Sequence, residues 1–306
     1  MLKEKILNRN SNLIFYGLTP PKSNLSEERL LEIASKQIDR LKGIELDGLI
    51  LYDIQDESSR NNSPRPFPFM PTLSPDIYCR QYLKELKLDK IIYNSVGKYS
   101  KESLEFWLEE NSQTFDCTVF VGSPSKNQLQ SLSLSEAYKI KKESSSSIIL
   151  GGVTIPERHF KKNDEHLRVL NKIENGCNFF ISQCVYNINY SKDFISDYYY
   201  SANELKKDLV PIVFTLTPCG SVKTLEFMQW LGIGIPKWME NDLNHSKDTL
   251  GKSIELCKSI ALELITYCRE KNVPIGFNIE SVAVRKEEIE ASIDLLKTVK
   301  GYLQNQ

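Results

Sequence analysis

Short apolar runs alternate with amphipathic segments along the whole chain, and this alternation limits the possible folds more than any other feature. A strand-like run is followed by a helix-like segment eight times, at intervals of about 35 residues, the size of a strand with its crossover helix. Because such units build parallel sheets, the pattern predicts an α/β fold, a single (β/α)8 TIM barrel over residues 1–306. The predicted strands are 13–18, 48–53, 90–94, 117–121, 147–150, 176–183, 211–216 and 274–279.

A doubly wound open sheet is the alternative arrangement of the same units. It is disfavoured because no predicted strand leads into a Gly-x-Gly-x-x-Gly turn, the phosphate-binding signature of that fold. Gly232-Ile233-Gly234 lies between two predicted helices and is interpreted as a turn. We also expect Trp238 to pack in the core, and Asn24 to cap the first long helix with Glu27 three residues further on.

Composition excludes several classes of partner. The chain has 39 Lys and Arg against 40 Asp and Glu, so it lacks the basic surplus of proteins that bind nucleic acids or anionic membranes. No apolar run is long enough for a membrane helix, and the charged start Met1-Leu2-Lys3-Glu4 is not a secretory signal. Seven cysteines form no Cys-x-x-Cys pair, and the three histidines have no zinc spacing with them. The sequence therefore predicts a cytoplasmic protein without a bound metal, and leaves a homo-oligomer possible.

The carboxyl ends of the predicted strands carry polar side chains, and in a parallel barrel these ends meet on the face that holds the chemistry. Gln183 ends the sixth strand, and its primary amide suits the edge of a flat heterocycle; a purely structural role in holding a loop is the alternative. The set has no carboxylate pair at a fixed spacing and no nucleophile with a base, which favours a cleft for a heteroaromatic ligand. It comprises Tyr16, Thr19, Tyr52, Asp53, Gln55, Asn94, Ser123, Glu157, His159, Gln183, Thr217, Asn278 and Glu280.

Two further segments have two interpretations each. Glu157-Arg158-His159 could handle protons or bind ribose and phosphate groups, or could be a salt-bridged surface loop. Arg65-Pro66-Phe67-Pro68-Phe69 is a stiff extended stretch in a long loop, so it is either a lid or a pair of rings that plug the top of the barrel.

Four motifs in the second half of the chain match one known family. Lys172-x3-Gly176-x-x-Phe179-x-x-Ser182-Gln183 is similar to Lys-x3-Gly-Ala-x-Phe-x-x-Thr-Gln, and Ile155-Pro156-Glu157-x-His159 is similar to Tyr-Pro-Glu-x-His. The stretch from Pro211 to Thr217-Pro218 and the motif Ile233-x-Ile235-Pro236-x-Trp238 match its Pro-Gly-Ile-x-Pro strand and its Val-x-Ile-Pro-x-Trp motif. With these motifs in order, the chain resembles the barrel of 5,10-methylenetetrahydrofolate reductase along most of its length.

The resemblance implies a flavoprotein of one-carbon metabolism and methionine biosynthesis. In that family NADH or NADPH reduces FAD at the strand ends, and the flavin passes hydride to the methylene group of the folate. By this resemblance FAD contacts are expected from Tyr52, Ser123, His159, Glu165, Arg168 and Lys172. Contacts with a folate or related pterin are expected from Tyr16, Gln183, Thr217 and Asn278.

Two positions depart from the family pattern. Gly17 stands where the family has the Glu that gives a proton to the folate nitrogen, and Ser123 stands where it has an Asp near the flavin. A reductase with this sequence needs another proton donor, for which Glu157 and Glu280 are the candidates because both lie at strand ends. The alternatives are a barrel that binds folate or flavin as a sensor or partner subunit, and a flavin-free one-carbon transferase that uses folate.

Overall fold

Eight parallel strands close into a barrel in chain order, which confirms the predicted (β/α)8 TIM barrel. The computed structural model describes residues 1–57, 62–122 and 131–305. The strands are β1 (Leu13–Leu18), β2 (Gly48–Leu51), β3 (Lys90–Ser95), β4 (Cys117–Val121), β5 (Ile149–Thr154), β6 (Cys177–Cys184), β7 (Ile212–Leu216) and β8 (Ile275–Glu280).

Helices follow the strands and occupy most of the remaining chain. They are α1 (Leu2–Leu7), α2 (Glu27–Leu41), α3 (Pro75–Tyr82), α4 (Lys101–Glu110), α5 (Leu134–Glu143), α6 (Pro156–Lys162), α7 (Glu165–Glu174), α8 (Ile188–Glu204), α9 (Val222–Trp230), α10 (Lys237–His245), α11 (Thr249–Glu270) and α12 (Lys286–Asn305). Ser26, and not the expected Asn24, caps α2 by accepting a hydrogen bond from the Arg29 N–H. None of the helices within the described ranges is both long and apolar enough to cross a membrane.

The chain divides into two compact units. One consists of Met1–Lys3, Gly17–Pro64 and Pro68–Gly151, and the other of Glu4–Tyr16, Arg65–Phe67 and Gly152–Gln306. The expectation of one domain over residues 1–306 stays a prediction. In the first unit β3 pairs with β4, with Ile91 opposite Cys117; in the second β7 pairs with β8, with Ile212 opposite Ile275.

Nearly every strand residue is buried because a parallel barrel strand is covered on both faces, which explains why the strands are visible in the sequence as continuous apolar runs. β6 begins after Gly176, whose φ of +98° ends the preceding turn in a conformation that suits glycine. Its register against β7 shifts between Ile181 and Cys184. At this irregularity the Ser182 hydroxyl accepts the Thr215 N–H at 3.0 Å, and Gln183 follows as a half-buried residue at the strand end.

A substitution at Gly276 in β8 tests how tightly β8 packs against β1. A Cβ atom added there would lie 2.7 Å from the Leu13 carbonyl oxygen and 2.8 Å from Leu13 Cβ. We expect Gly276→Ala to lower the free energy of unfolding by about 1–3 kcal/mol, because the clash is with backbone that has no room to move.

Gly301→Ala in α12 is the matched control, since an added Cβ there meets no atom of the described residues within 4 Å. We expect it to raise stability by about 0.5–1 kcal/mol through helix propensity. Both values are measured by urea unfolding. A Gly276→Ala variant as stable as the wild type would show that the β1–β8 packing is looser than described.

Candidate functional site

One loop holds the ends of two strands. The Gln183 side-chain amide donates to the Leu231 carbonyl oxygen at 2.9 Å, and the Gly234 N–H donates to Glu157 Oε1 at 3.2 Å. The loop joins α9 to α10 in the connection from β7 to β8, whereas Gln183 is the penultimate residue of β6 and Glu157 follows β5. The loop thus contacts the carboxyl ends of β5 and β6, and we call Glu157, Gln183 and loop 231–234 the β5–β7 site.

Glu157 of the β5–β7 site is a buried carboxyl group with a raised pKa. Its side chain is buried at the start of α6, and its second oxygen, Oε2, is buried with no hydrogen-bond partner among the residues that the structure describes. Burial raises the pKa of Glu157 from 4.5 to about 7, although the backbone N–H groups of Glu157 and Gly234 oppose this shift. A carboxyl group that titrates near neutrality can donate or accept a proton under cellular conditions, as a general acid or base must.

Glycine at position 234 allows the loop to approach closely. A Cβ there would lie 3.0 Å from the Tyr190 ring and 3.2 Å from Glu157 Cγ. Tyr190 in turn stacks on Phe160, with ring centroids 4.2 Å apart and an angle of 22° between the planes. Phe160 is 60% exposed, so a flat aromatic surface lies open beside the buried carboxyl.

A cluster of aromatic rings and cations lies against α9, the helix that precedes loop 231–234. The Phe67 ring packs edge-on against Phe227 with centroids 5.3 Å apart, so this ring is docked on α9 and is not a free lid. The Arg65 guanidinium lies over Phe227 and Trp230, 5.0 and 5.5 Å from the ring centroids. Lys223 lies 4.9 Å from the Phe67 ring centroid, which places a second cation in this cluster.

Residues expected near FAD instead make internal contacts. Lys172 donates to the Val153 carbonyl oxygen at 2.6 Å, and burial lowers the pKa of Lys172, a shift that Glu165 opposes. Glu165 is completely buried, where it accepts the Ile155 N–H and pairs with Arg158 at 3.0 Å. The structure thus brings Glu165 and Lys172 to the end of β5, with each side chain engaged by protein.

The other expected FAD contacts are spread out. His159 is buried, and its Nε2 lies 3.2 Å from Oδ2 of Asp197 in α8. Arg168 of α7 pairs with Asp164, the residue that precedes this helix. Tyr52 belongs to the first unit, where its ring packs edge-on against Tyr93. Ser123 lies outside the described residues.

Three of the four residues expected to contact the folate are buried and bonded to other residues of the protein. The Tyr16 hydroxyl is hydrogen-bonded to the Ser292 hydroxyl at 2.8 Å, and the Asn278 amide donates to Thr215 at 3.1 Å. Thr217 is fully buried and accepts the Val282 N–H at 3.4 Å. Their contact with a ligand therefore stays a prediction.

Glu280, the other candidate acid, ends β8 and is half-buried. Burial raises the pKa of Cys184, at the end of β6, well above its usual value, and the carboxylates of Glu280 and Glu157 add to this shift. Both acids therefore act electrostatically on the same strand end, and the choice of Glu157 or Glu280 as a proton donor stays a prediction.

Sequence reasoning misses the loop that organises the site. The interpretation of Gly232-Ile233-Gly234 as a turn gives it no role, although Gly234 contacts two side chains. The expectation that Trp238 packs in the core is wrong, because it is 56% exposed at the start of α10. The available sequence signal for this loop is the family motif from Ile233 to Trp238, which overlaps it at Ile233 and Gly234.

Comparisons with known proteins agree with the observed fold. The family model described as methylenetetrahydrofolate reductase matches residues 133–290. A solved protein from Clostridium thermocellum that binds two copies of 5-methyl-5,6,7,8-tetrahydrofolic acid is 51% identical, with a TM-score of 0.88, over 98% of this chain and 99% of that one. A GH113 β-1,4-mannanase shares the fold at 13% identity and a TM-score of 0.53, over 96% of this chain and 100% of that one. No protein with a curated description matches the sequence significantly.

The raised pKa of Glu157 predicts a stability that depends on pH. The folded state binds the Glu157 proton more tightly than the unfolded state does. The part of the free energy of unfolding that comes from this proton is therefore lost as pH rises from about 4.5 to about 7. We expect Glu157→Gln, which has no proton to lose, to remove about 3 kcal/mol of this decrease in the free energy of unfolding.

The measurement is urea unfolding at pH values on both sides of this window. Glu204→Gln, which changes an exposed carboxyl at the end of α8, is the control and should leave the pH profile of the wild type unchanged. Identical pH profiles for the wild type and the Glu157→Gln variant would mean that Glu157 has an ordinary pKa.

Proposed function

Because the chain belongs to the methylenetetrahydrofolate reductase family, we propose that it binds a reduced folate with a one-carbon group at the β5–β7 site. The observation that carries this proposal is the shared loop, which contacts both the Gln183 amide and the Glu157 carboxyl at the strand ends. The relative that binds 5-methyltetrahydrofolate supports it, since its identity of 51% extends over nearly the whole of both chains.

The chemistry of the site suits the parts of a folate. A pterin is a flat ring with donors and acceptors along one edge, which an amide and a carboxyl recognise by hydrogen bonds. The stacked rings of Phe160 and Tyr190 offer a surface for an aromatic ring of the ligand. Arg65 and Lys223 are cations suited to the carboxylates of the glutamate tail.

A flavin dinucleotide does not fit the residues that the resemblance assigns to it. Glu165 is 0% exposed and pairs with Arg158, so it presents no free polar surface to a ligand. The Lys172 ammonium group is held by a backbone carbonyl, and Arg168 is paired with Asp164. Binding FAD would require several buried polar groups to exchange their protein partners for the ligand. We therefore favour folate binding without FAD, and we derive no step through a flavin.

A second candidate function retains the reduction of 5,10-methylenetetrahydrofolate. The pKa of about 7 at Glu157 favours it, because this carboxyl could replace the acid that is missing at Gly17. Hydride from NADH or NADPH would reduce the methylene carbon, while Glu157 would protonate the nitrogen whose bond to that carbon breaks. A place in methionine biosynthesis would follow only from this activity, and the cytoplasmic location stays a prediction.

Calorimetric titration with 5-methyltetrahydrofolate tests the binding proposal. We expect Gln183→Leu to raise the Kd about 10-fold or more, because the pterin loses a hydrogen bond and a polar edge is left unpaired. Gln229→Leu is the matched control, since Gln229 is an exposed amide on the neighbouring α9, and it should bind as the wild type does.

The two candidate functions differ in turnover. Oxidation of NADH or NADPH that requires 5,10-methylenetetrahydrofolate and is abolished in Glu157→Gln would establish the reductase, whereas folate binding without turnover would leave a binding protein. Tight binding of added FAD, seen in the visible spectrum, would contradict the argument against flavin. Equal folate affinity in the wild type and the Gln183→Leu variant would exclude the β5–β7 site.

A further inference from the structure

Three potential metal ligands meet where α6, α7 and α8 pack together. His159 lies on α6, His166 on α7 and Asp197 on α8, and one ligand atom from each lies within 4.8 Å of the other two. His159 Nε2 is 3.2 Å from Asp197 Oδ2, and the two imidazole rings contact edge to face with centroids 5.2 Å apart. Three helices thus contribute one ligand-type side chain each to a single cluster.

Both imidazoles carry a buried nitrogen that the protein leaves unsatisfied. The Nδ1 atoms of His159 and His166 are buried and have no hydrogen-bond partner among the described residues. Leaving a buried polar atom unpaired costs about 1–3 kcal/mol, so such atoms are uncommon without a ligand, a water or a function. The contact of His159 Nε2 with Asp197 leaves the His166 Nδ1 unpaired and gives His166 no role.

We propose that His159, His166 and Asp197 form a binding site for a divalent transition-metal ion, with Zn²⁺ as the best match. Two imidazoles and one carboxylate are the donor set of three-ligand zinc sites, in which water occupies the fourth position. Bonds of about 2.0–2.1 Å in a tetrahedron place neighbouring ligand atoms about 3.3 Å apart, which is close to the observed His159–Asp197 distance of 3.2 Å.

Access and geometry both favour this site. The Asp197 side chain is 43% exposed, so one side of the cluster is open to solvent for the entry of the ion and for a water ligand. Ligand atoms no more than 4.8 Å apart reach a common centre after side-chain shifts of about half an ångström. The sequence argument predicts no metal because it tests only the spacing between histidines and cysteines, and here the third ligand is an aspartate from a different helix.

A metal at this place would act on the fold around Glu157. His159 lies two residues after Glu157 on the short helix α6, and the ion would connect this helix to α7 and α8. The inference is independent of folate binding, because it rests on residues outside loop 231–234. Its expected role is structural, in fixing α6 and hence the direction in which Glu157 enters the β5–β7 site.

Metal titration of the full chain after removal of metals with a chelator tests this site. We expect one Zn²⁺ per chain by elemental analysis, and Co²⁺ should give the visible bands of a four-coordinate site without a sulfur charge-transfer band. His166→Asn and Asp197→Asn should each weaken Zn²⁺ binding more than about 100-fold, because even the groups that support metal ligands are worth 10–100-fold.

His245→Asn is the matched control, because His245 is the third histidine of the chain and lies exposed on α10. It should bind Zn²⁺ as tightly as the wild type. Circular dichroism of the metal-free variants verifies that they fold, and Asp197→Asn, at a half-exposed position, keeps the test valid if the buried His166 variant does not. Wild-type affinity no higher than that of the folded Asp197→Asn variant, or a Co²⁺ spectrum with thiolate bands, would overturn the proposal.

Discussion

The hydrogen bonds between loop 231–234 and two strand ends are the contacts on which the site depends. Gly234 and Glu157 are 77 residues apart in the chain, and Leu231 and Gln183 are 48 apart, so only the closed barrel brings them together. Burial raises the pKa of Glu157 to about 7, and the Gly234 N–H of this loop opposes the shift. One backbone segment therefore contacts both an amide and a buried carboxyl.

Two residues that the family resemblance places along FAD make contacts within the protein. Lys172 donates to a backbone carbonyl oxygen, and Glu165 pairs with an arginine. A polar side chain that is buried and satisfied by protein contributes to the fold and offers little to a ligand. The motifs thus identify the family, whereas the contacts decide which part of its chemistry the chain supports.

The barrel can be predicted from the sequence because strands covered on both faces are continuous apolar runs. Helix ends are less visible, because they depend on which neighbouring polar residue makes the capping contact. The cap of α2 is expected at Asn24, although the backbone turns at Ser26, a choice between neighbouring polar residues that sequence alone does not decide. The raised pKa of Glu157 could not be predicted, since it arises from burial in the folded chain.

The most direct measurement of the central claim is the pKa of Glu157 in the free protein and in the presence of saturating 5-methyltetrahydrofolate. Infrared difference spectroscopy of the wild type against Glu157→Gln isolates this carboxyl. We expect titration near pH 7 in the free protein and a clear displacement of that pKa when the folate binds, because the ligand replaces or contacts the neighbours of the carboxyl. An unchanged pKa at full occupancy would show that the folate binds elsewhere, and would contradict the assignment of the β5–β7 site.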